Sequence, residues 1–256
     1  MLTLTFLGTG TSQGVPIIGC DCQVCNSQNH KDKRLRTSAL IQWDEHTISI
    51  DAGPDFRQQM LRENIQRLDA ILLTHAHRDH VGGIDDVRAF NYYQKMPMPV
   101  YGNPYTLKGL KETIPYAFCA NPYPGVPEFE LHTLDNREFK IFDLEIQPIE
   151  VMHFKLPVSA YRIANLVYIT DANYISTQSL EQMKGCETLV INALRREPHI
   201  SHFTLAQALE IIAILKPKNT YLTHISHALG KHDEINKTLP ANVSLAYDGL
   251  KINIAK

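Results

Sequence analysis

The chain has 256 residues, 44% of them hydrophobic and 20% charged, with a formal charge of −2. That is enough apolar material for one large α/β core, although length alone would also permit two domains. The near-neutral balance, with no lysine/arginine block and no Gly/Arg-rich arm, argues against extended polynucleotide binding and leaves room for a small phosphorylated ligand.

Residues 1–7 alternate polar and apolar side chains without a basic n-region or a long hydrophobic run, which predicts a first strand rather than a signal peptide. Nothing approaches a membrane span in apolar length. Three of the five cysteines bunch at Cys20, Cys22 and Cys25. Without an export signal this pattern predicts a reducing cytoplasm rather than a disulfide framework. Cys119 and Cys186 read as ordinary buried or inert thiols. The basic stretch at 31–36 reads as a solvated loop.

Strands are predicted at 38–43 and 46–50, and a helix over 55–63 follows Gly53-Pro54. The apolar run 68–73 ends in Thr74-His75-Ala76-His77-Arg78-Asp79-His80. Proline and aromatic residues dominate 114–127, which suits a shaped surface loop in which Tyr116, Phe118 or Tyr123 could cover a ligand. Further strands are expected at 138–142, 144–149, 161–163 and 166–169. A helix over 204–215 opens with Thr204 and Gln207 in capping-box spacing and stops before Pro217. Residues 243–247 and 250–254 flank Asp248-Gly249 as a hairpin would. No internal repeat or low-complexity tract interrupts the chain, and the pattern predicts a mixed α/β fold.

The H-x-H-x-D-H motif is the most informative feature. A helix would put His75 and His77 on nearly opposite faces, whereas an extended strand end points them the same way, toward one ion. Asp79 and His80 can then serve a second. Single histidines carry little weight in a chain with twelve, but three histidines and an aspartate within six positions match divalent-metal chemistry. No dinucleotide fingerprint competes, because Gly8-Thr9-Gly10 leads into the cysteine loop instead of a helix.

Together with Ile50-Asp51-Ala52-Gly53 upstream and His153, Asp171 and His224 downstream, this motif resembles the five ordered motifs of the metallo-β-lactamase superfamily, over nearly the whole chain. Residues 8–16 (GTGTSQGVP) followed by Cys20-Asp21-Cys22-Gln23-Val24-Cys25 are similar to its phosphoribosyl cyclic phosphodiesterase branch, known from carbon–phosphorus lyase pathways. The resemblance implies a four-layer αββα sandwich and a single hydrolase domain over 1–256. It implies that His75, His77 and His153 hold one divalent ion and that Asp79, His80 and His224 hold another, with Asp171 bridging. The ions would be zinc or manganese. The runs 149–153, 167–171 and 220–224 each pass from apolar strand to polar ligand, as such a centre needs.

Asp51 would be the carboxylate that orients a ligating imidazole, with a turn or helix cap before Pro54 as its structural competitor. His202 matches the position where phosphodiesterase members place a histidine near phosphate, with His199 as its rival and Lys155 as a weaker phosphate binder. Cys20, Cys22 and Cys25 are three soft thiolates suited to tetrahedral zinc. The resemblance supplies His227 as fourth ligand of a structural zinc, and His30 is the alternative nearer in sequence.

The function implied is a metal-dependent phosphodiesterase that opens small cyclic phosphates, phosphoribosyl or nucleotide, through metal-bound hydroxide. Asp79 and His202 would be central to that chemistry. The alternatives are an endonuclease resembling the tRNA 3′-processing branch and a non-catalytic metal-binding accessory protein similar to the pyrroloquinoline quinone synthesis B protein. The expected partner is a small phosphodiester, with neither extended nucleic acid nor membrane, and the resemblance suggests a homodimer.

Overall fold

Among residues 1–255, which the computed structural model describes, fourteen strands form two seven-stranded sheets. The first sheet takes β1 (Leu2–Gly8), β2 (Ser38–Trp43), β3 (His46–Ile50), β4 (Ala70–Leu72), β5 (Met98–Gly102) and β6 (Phe129–Thr133) in that order. The second takes β7 (Phe139–Ile141), β8 (Leu144–His153), β9 (Leu156–Ile163), β10 (Leu166–Tyr168), β11 (Thr188–Asn192), β12 (Asn219–Thr223) and β13 (Val243–Leu245). β14 (Lys251–Ile254) returns to the first sheet and pairs antiparallel with β1.

Alternating side chains explain why the sheets stack and then need helices outside them. On β2, Ala39, Ile41 and Trp43 enter a core shared with Tyr161, Ile163 and Tyr168 of the opposite sheet. Leu40 faces the other way and packs in a cluster with Phe56 and Met60 of α1 (Phe56–Arg62). α2 (Arg78–Val81) follows the histidine motif, and α3 (Arg88–Gln94) and α4 (Pro104–Thr113) add Phe90, Leu107 and Leu110 to that outer cluster. On β11, Val190 points inward, while Leu189 and Ile191 join the outer layer of α5 (Thr177–Met183), α6 (Leu205–Leu215) and α7 (His232–Asn236). The architecture is therefore the four-layer αββα sandwich.

The expected capping box forms on α6: Gln207 N–H donates to the Thr204 hydroxyl and Thr204 N–H to the Gln207 carboxamide. The strand predictions hold to within a few residues, except that β8 extends to His153 and β9 starts at Leu156. Two expectations fail. Residues 243–254 are no hairpin, because β13 pairs with β12 and β14 with β1 in the other sheet. Asp248, in the crossing, anchors it by accepting hydrogen bonds from Thr9 and from Leu35 N–H. Turn chemistry fixes a local reversal but not which sheet each arm joins. The basic stretch is not a free loop either: Arg34 is 4% exposed and donates to Thr9 Oγ1, Ala246 O and His232 Nδ1. No helix among the described residues is long and apolar enough to cross a membrane.

Candidate metal centre

Strands of both sheets deliver the candidate ligands from their carboxyl ends, where an open α/β edge leaves a crevice. β3 leads to Asp51, β4 to His75, β8 ends on His153, β10 leads to Asp171 and β12 to His224. His77, the residue before α2, keeps an extended backbone. His75 and His77 therefore converge, ring centroids 4.6 Å apart, and His153 closes the group at 5.6 and 5.0 Å. One ligating atom from each of these three lies within 4.8 Å of the others, and the same holds for Asp79, His80, Asp171 and His224.

Asp171 joins the two groups. Its Oδ2 stands 3.6 Å from His75 Nε2 and 3.3 Å from His80 Nε2, and its Oδ1 stands 2.9 Å from His224 Nδ1. The structure thus assembles all seven residues singled out from the sequence. Asp51, Asp171 and His224 all sit at positive φ, a conformation that short polar residues tolerate and that clusters at functional sites.

Behind the ligands, Asp51 is fully buried and accepts from Thr74 N–H and Thr74 Oγ1, both at 2.8 Å, and from His80 Nδ1 at 2.7 Å. The cap residue of α1 is Asp55, so Asp51 is not that helix's cap. Gly53 is required by a close approach: a Cβ there would lie 2.0 Å from the carbonyl oxygen of Asp79. Ala52 N–H meanwhile donates to His80 O. The Asp-Ala-Gly motif thus supports the histidine motif through both side chain and backbone.

Thr74, Thr11 and Thr37 were not singled out from sequence. Thr11 Oγ1 lies 3.3 Å from His224 Nε2 and Thr37 Oγ1 3.1 Å from His224 Nδ1. Thr74 could have been found from its place before His75, whereas Thr11 and Thr37 lie more than 180 residues from His224 and carry no local signal.

His202 is buried, with its ring 4.6 Å from that of His153 and 4.8 Å from that of His224. Its Nδ1 is buried without a hydrogen-bond partner. Burial, reinforced by His224, pulls this imidazole down to about 3, so it is neutral near pH 7. His199 is half-buried and lies one ring farther out, 5.0 Å from His202. Lys155 is exposed, its ammonium over the Phe154 ring. In the 114–127 segment Tyr116 hydroxyl donates to Asp85, Phe118 stacks on Phe129 and Tyr123 is 81% exposed, so Phe118 is a packing residue.

The donor set fits divalent metal ions. His75 Nε2 and His80 Nε2 are buried nitrogens with no hydrogen-bond partner, a costly state that coordination would relieve. Burial opposes charge on Asp79, yet His80 and His224 hold its carboxyl well below the usual range, so it is anionic at neutral pH, as a metal ligand needs to be.

A second cluster forms at the N-terminal loop, where the Sγ atoms of Cys20, Cys22 and Cys25 lie 3.4, 3.3 and 3.6 Å from His227 Nδ1. His30 instead packs edge-on to Tyr247. The backbone N–H of Cys25 donates to the Cys22 sulfur and helps to bring that thiol down to about 6, favouring the thiolate a metal binds. Cys186 is buried as expected, but Cys119 is exposed.

Residues 46–225 match the family described as the beta-lactamase superfamily domain. The chain belongs to the metallo-β-lactamase superfamily. Within it, the chain is 41% identical to a diphosphatase from the PhnP family, whose crystal structure superposes with a TM-score of 0.93 and covers 100% of this chain and 98% of that one. An octanoyltransferase from Porphyromonas gingivalis is 42% identical over 248 residues, which are 96% of this chain but 50% of the relative. The chain thus spans about half the length of that relative. The Zn²⁺-bound PqqB of Methylobacterium extorquens shares the superfamily fold, with a TM-score of 0.83, 18% identity and coverage of 98% and 100%.

Proposed function

We propose that residues 1–256 act as one metal-dependent hydrolase domain that cleaves P–O bonds in small phosphate compounds, as a phosphodiesterase opening cyclic phosphates of the phosphoribosyl or nucleotide type. The observation that carries this reading is the pair of ligand groups meeting at Asp171, with His202 beside them. His75, His77 and His153 would hold one divalent ion, Asp79, His80 and His224 the other, and Asp171 both. When bound, two such ions supply Lewis acidity toward phosphoryl oxygens and activate water at neutral pH.

The chain's own residues prepare the site for that chemistry. Asp51 accepts from His80 Nδ1, so Nε2 is the nitrogen that faces the ligand group. Thr11 and Thr37 hold His224 from either side of its ring. His202, neutral and close to both groups, is set to donate one N–H to a non-bridging phosphoryl oxygen rather than to act as a cationic acid. Cys20, Cys22, Cys25 and His227 would hold a structural zinc that staples the N-terminal loop to the segment bearing His224.

A second reading, a diphosphatase, is favoured by the 41% identity to the diphosphatase of the PhnP family. The octanoyltransferase relative does not redirect the proposal, because the groups gathered here are imidazoles and carboxylates suited to metal ions rather than an activated acyl-accepting nucleophile. The test is hydrolysis by protein reconstituted with zinc or manganese, offered cyclic phosphodiesters, linear phosphodiesters and diphosphates. Turnover of the cyclic class that Asp79→Ala abolishes supports the first reading, and exclusive turnover of diphosphates supports the second. A fully loaded protein inert toward all three refutes both.

A further inference from the structure

On the outer face of the first sheet a cavity of about 620 Å³ opens between α1 and α3, and none of the candidate metal ligands lines it. Pockets of that size take small organic molecules. Its floor is apolar, made by Phe56, Met60 and Phe90, none of them more than 8% exposed. Leu61 and Tyr93 stand at its rim, 62% and 78% exposed. Large apolar side chains left uncovered around a concave floor mark a ligand site more often than an idle surface.

The helices on either side are pinned at both ends. Gly83 N–H donates to Ala52 O, and a Cβ on Gly83 would lie 2.0 Å from Gly53 O, so the segments leading into α1 and α3 are in fixed contact. At the far end the Gln94 carboxamide accepts from Leu68 N–H and donates to Leu68 O, both at 2.9 Å. The space between the helices therefore belongs to the framework.

Two opposite charges line this cavity, Arg57 from α1 and Asp86 from the turn before α3. Neither side chain has a hydrogen bond or ion pair among the described residues. A ligand carrying a carboxylate alone would satisfy Arg57 and set an anion before Asp86, and an amine alone would do the reverse. Charge-assisted hydrogen bonds are strong enough for that difference to decide what binds.

We propose that the cavity binds a small zwitterion with an apolar side chain, of which a free aromatic amino acid is the simplest case. The side chain lies on Phe56, Met60 and Phe90, the carboxylate meets Arg57 and the ammonium meets Asp86. The inference goes beyond the hydrolase reading and does not depend on it.

The test is calorimetric titration of the metal-loaded protein with L-phenylalanine, phenylpropanoate and phenylethylamine, which share an apolar body and differ in charge. Phenylalanine should bind about tenfold more tightly than either analogue. Arg57→Gln should abolish its advantage over phenylethylamine and keep its advantage over phenylpropanoate, and Asp86→Asn should do the reverse. Arg57 is exposed and unpaired, so its arm stands by itself if Asp86→Asn does not fold. Phenylalanine that fails to bind, analogues that bind as tightly as it does, or preferences that survive the substitutions overturn the proposal. Tighter binding of octanoate overturns it as well, by making the occupant a fatty carboxylate. Because the readout is affinity, a protein inert toward every phosphate compound would leave this result standing and refute the hydrolase reading alone.

Discussion

The carboxylate of Asp51 and the imidazole of His80, 29 residues apart in sequence, are joined by a 2.7 Å hydrogen bond in which neither side chain touches solvent. Thr74 supplies the two further donors that the carboxylate needs in a dry site.

Asp51→Asn keeps the shape but turns one acceptor into a donor facing donors. Metal affinity should fall by about 10–100-fold, the usual effect of losing such an orienting partner, as read by competition with a chelator. Wild-type affinity in the variant would show that Asp51 does not set the orientation of His80.

Gly53→Ala forces a methyl onto the carbonyl of Asp79, 2.0 Å away, a backbone group that cannot swing aside as a side chain would. The expected cost is about 3 kcal/mol or more, seen in thermal denaturation, together with weaker metal retention. An unshifted melting temperature would contradict the close approach.

The sequence was legible where physics is local. Alternation gave the strands of the inner core, the Thr204–Gln207 spacing gave the start of α6, and the short span from His75 to His80 exposed the candidate centre. It was illegible where partners are remote. Asp248-Gly249 reads as a turn, yet whether its arms meet or part depends on β12 and β1, each of which offers a free edge. The burial of Arg34 depends in the same way on Ala246 and His232, some 200 residues away.

His202→Ala should lower kcat by about 10²–10³ with bound metal unchanged, the loss expected when a donor to developing phosphoryl charge is removed. His202 also lies within 4.8 Å of ligating atoms of His153 and Asp171, so a fall in metal content instead would make it a ligand.

Removing a thiolate tests the second cluster. Cys22→Ser should lose roughly one equivalent of zinc and lower the melting temperature, because the metal would tie the N-terminal loop to His227. Unchanged zinc content would rule the cluster out as a metal site.

His232 sets a pH dependence away from the metal centre. Burial and the Arg34 guanidinium, which donates to its Nδ1, lower it to about 4. Below the ordinary histidine value of about 6.5 the unfolded chain therefore binds a proton that the folded chain refuses, and stability drops as pH falls toward 4. Asp248 works in the opposite sense. Burial raises it to about 6, so its contribution is present below its ordinary value and is lost as pH rises through 6. The informative comparison is thus wild type against His232→Gln: the difference in melting temperature should shrink as pH falls from 6.5 to 4. A pH-independent difference would show that His232 does not titrate on unfolding.

The pairing of β1 with β14, Leu2 opposite Ile254, also bears on how the molecule is made. During synthesis β1 leaves the ribosome long before its outer neighbour exists, so one flank of an apolar strand stays open while most of the chain is still being translated. Such a wait favours slow, late completion of the first sheet and invites chaperone capture of the nascent chain. Shortening the chain before Lys251 would make that exposure permanent, and the product should aggregate rather than merely lose activity.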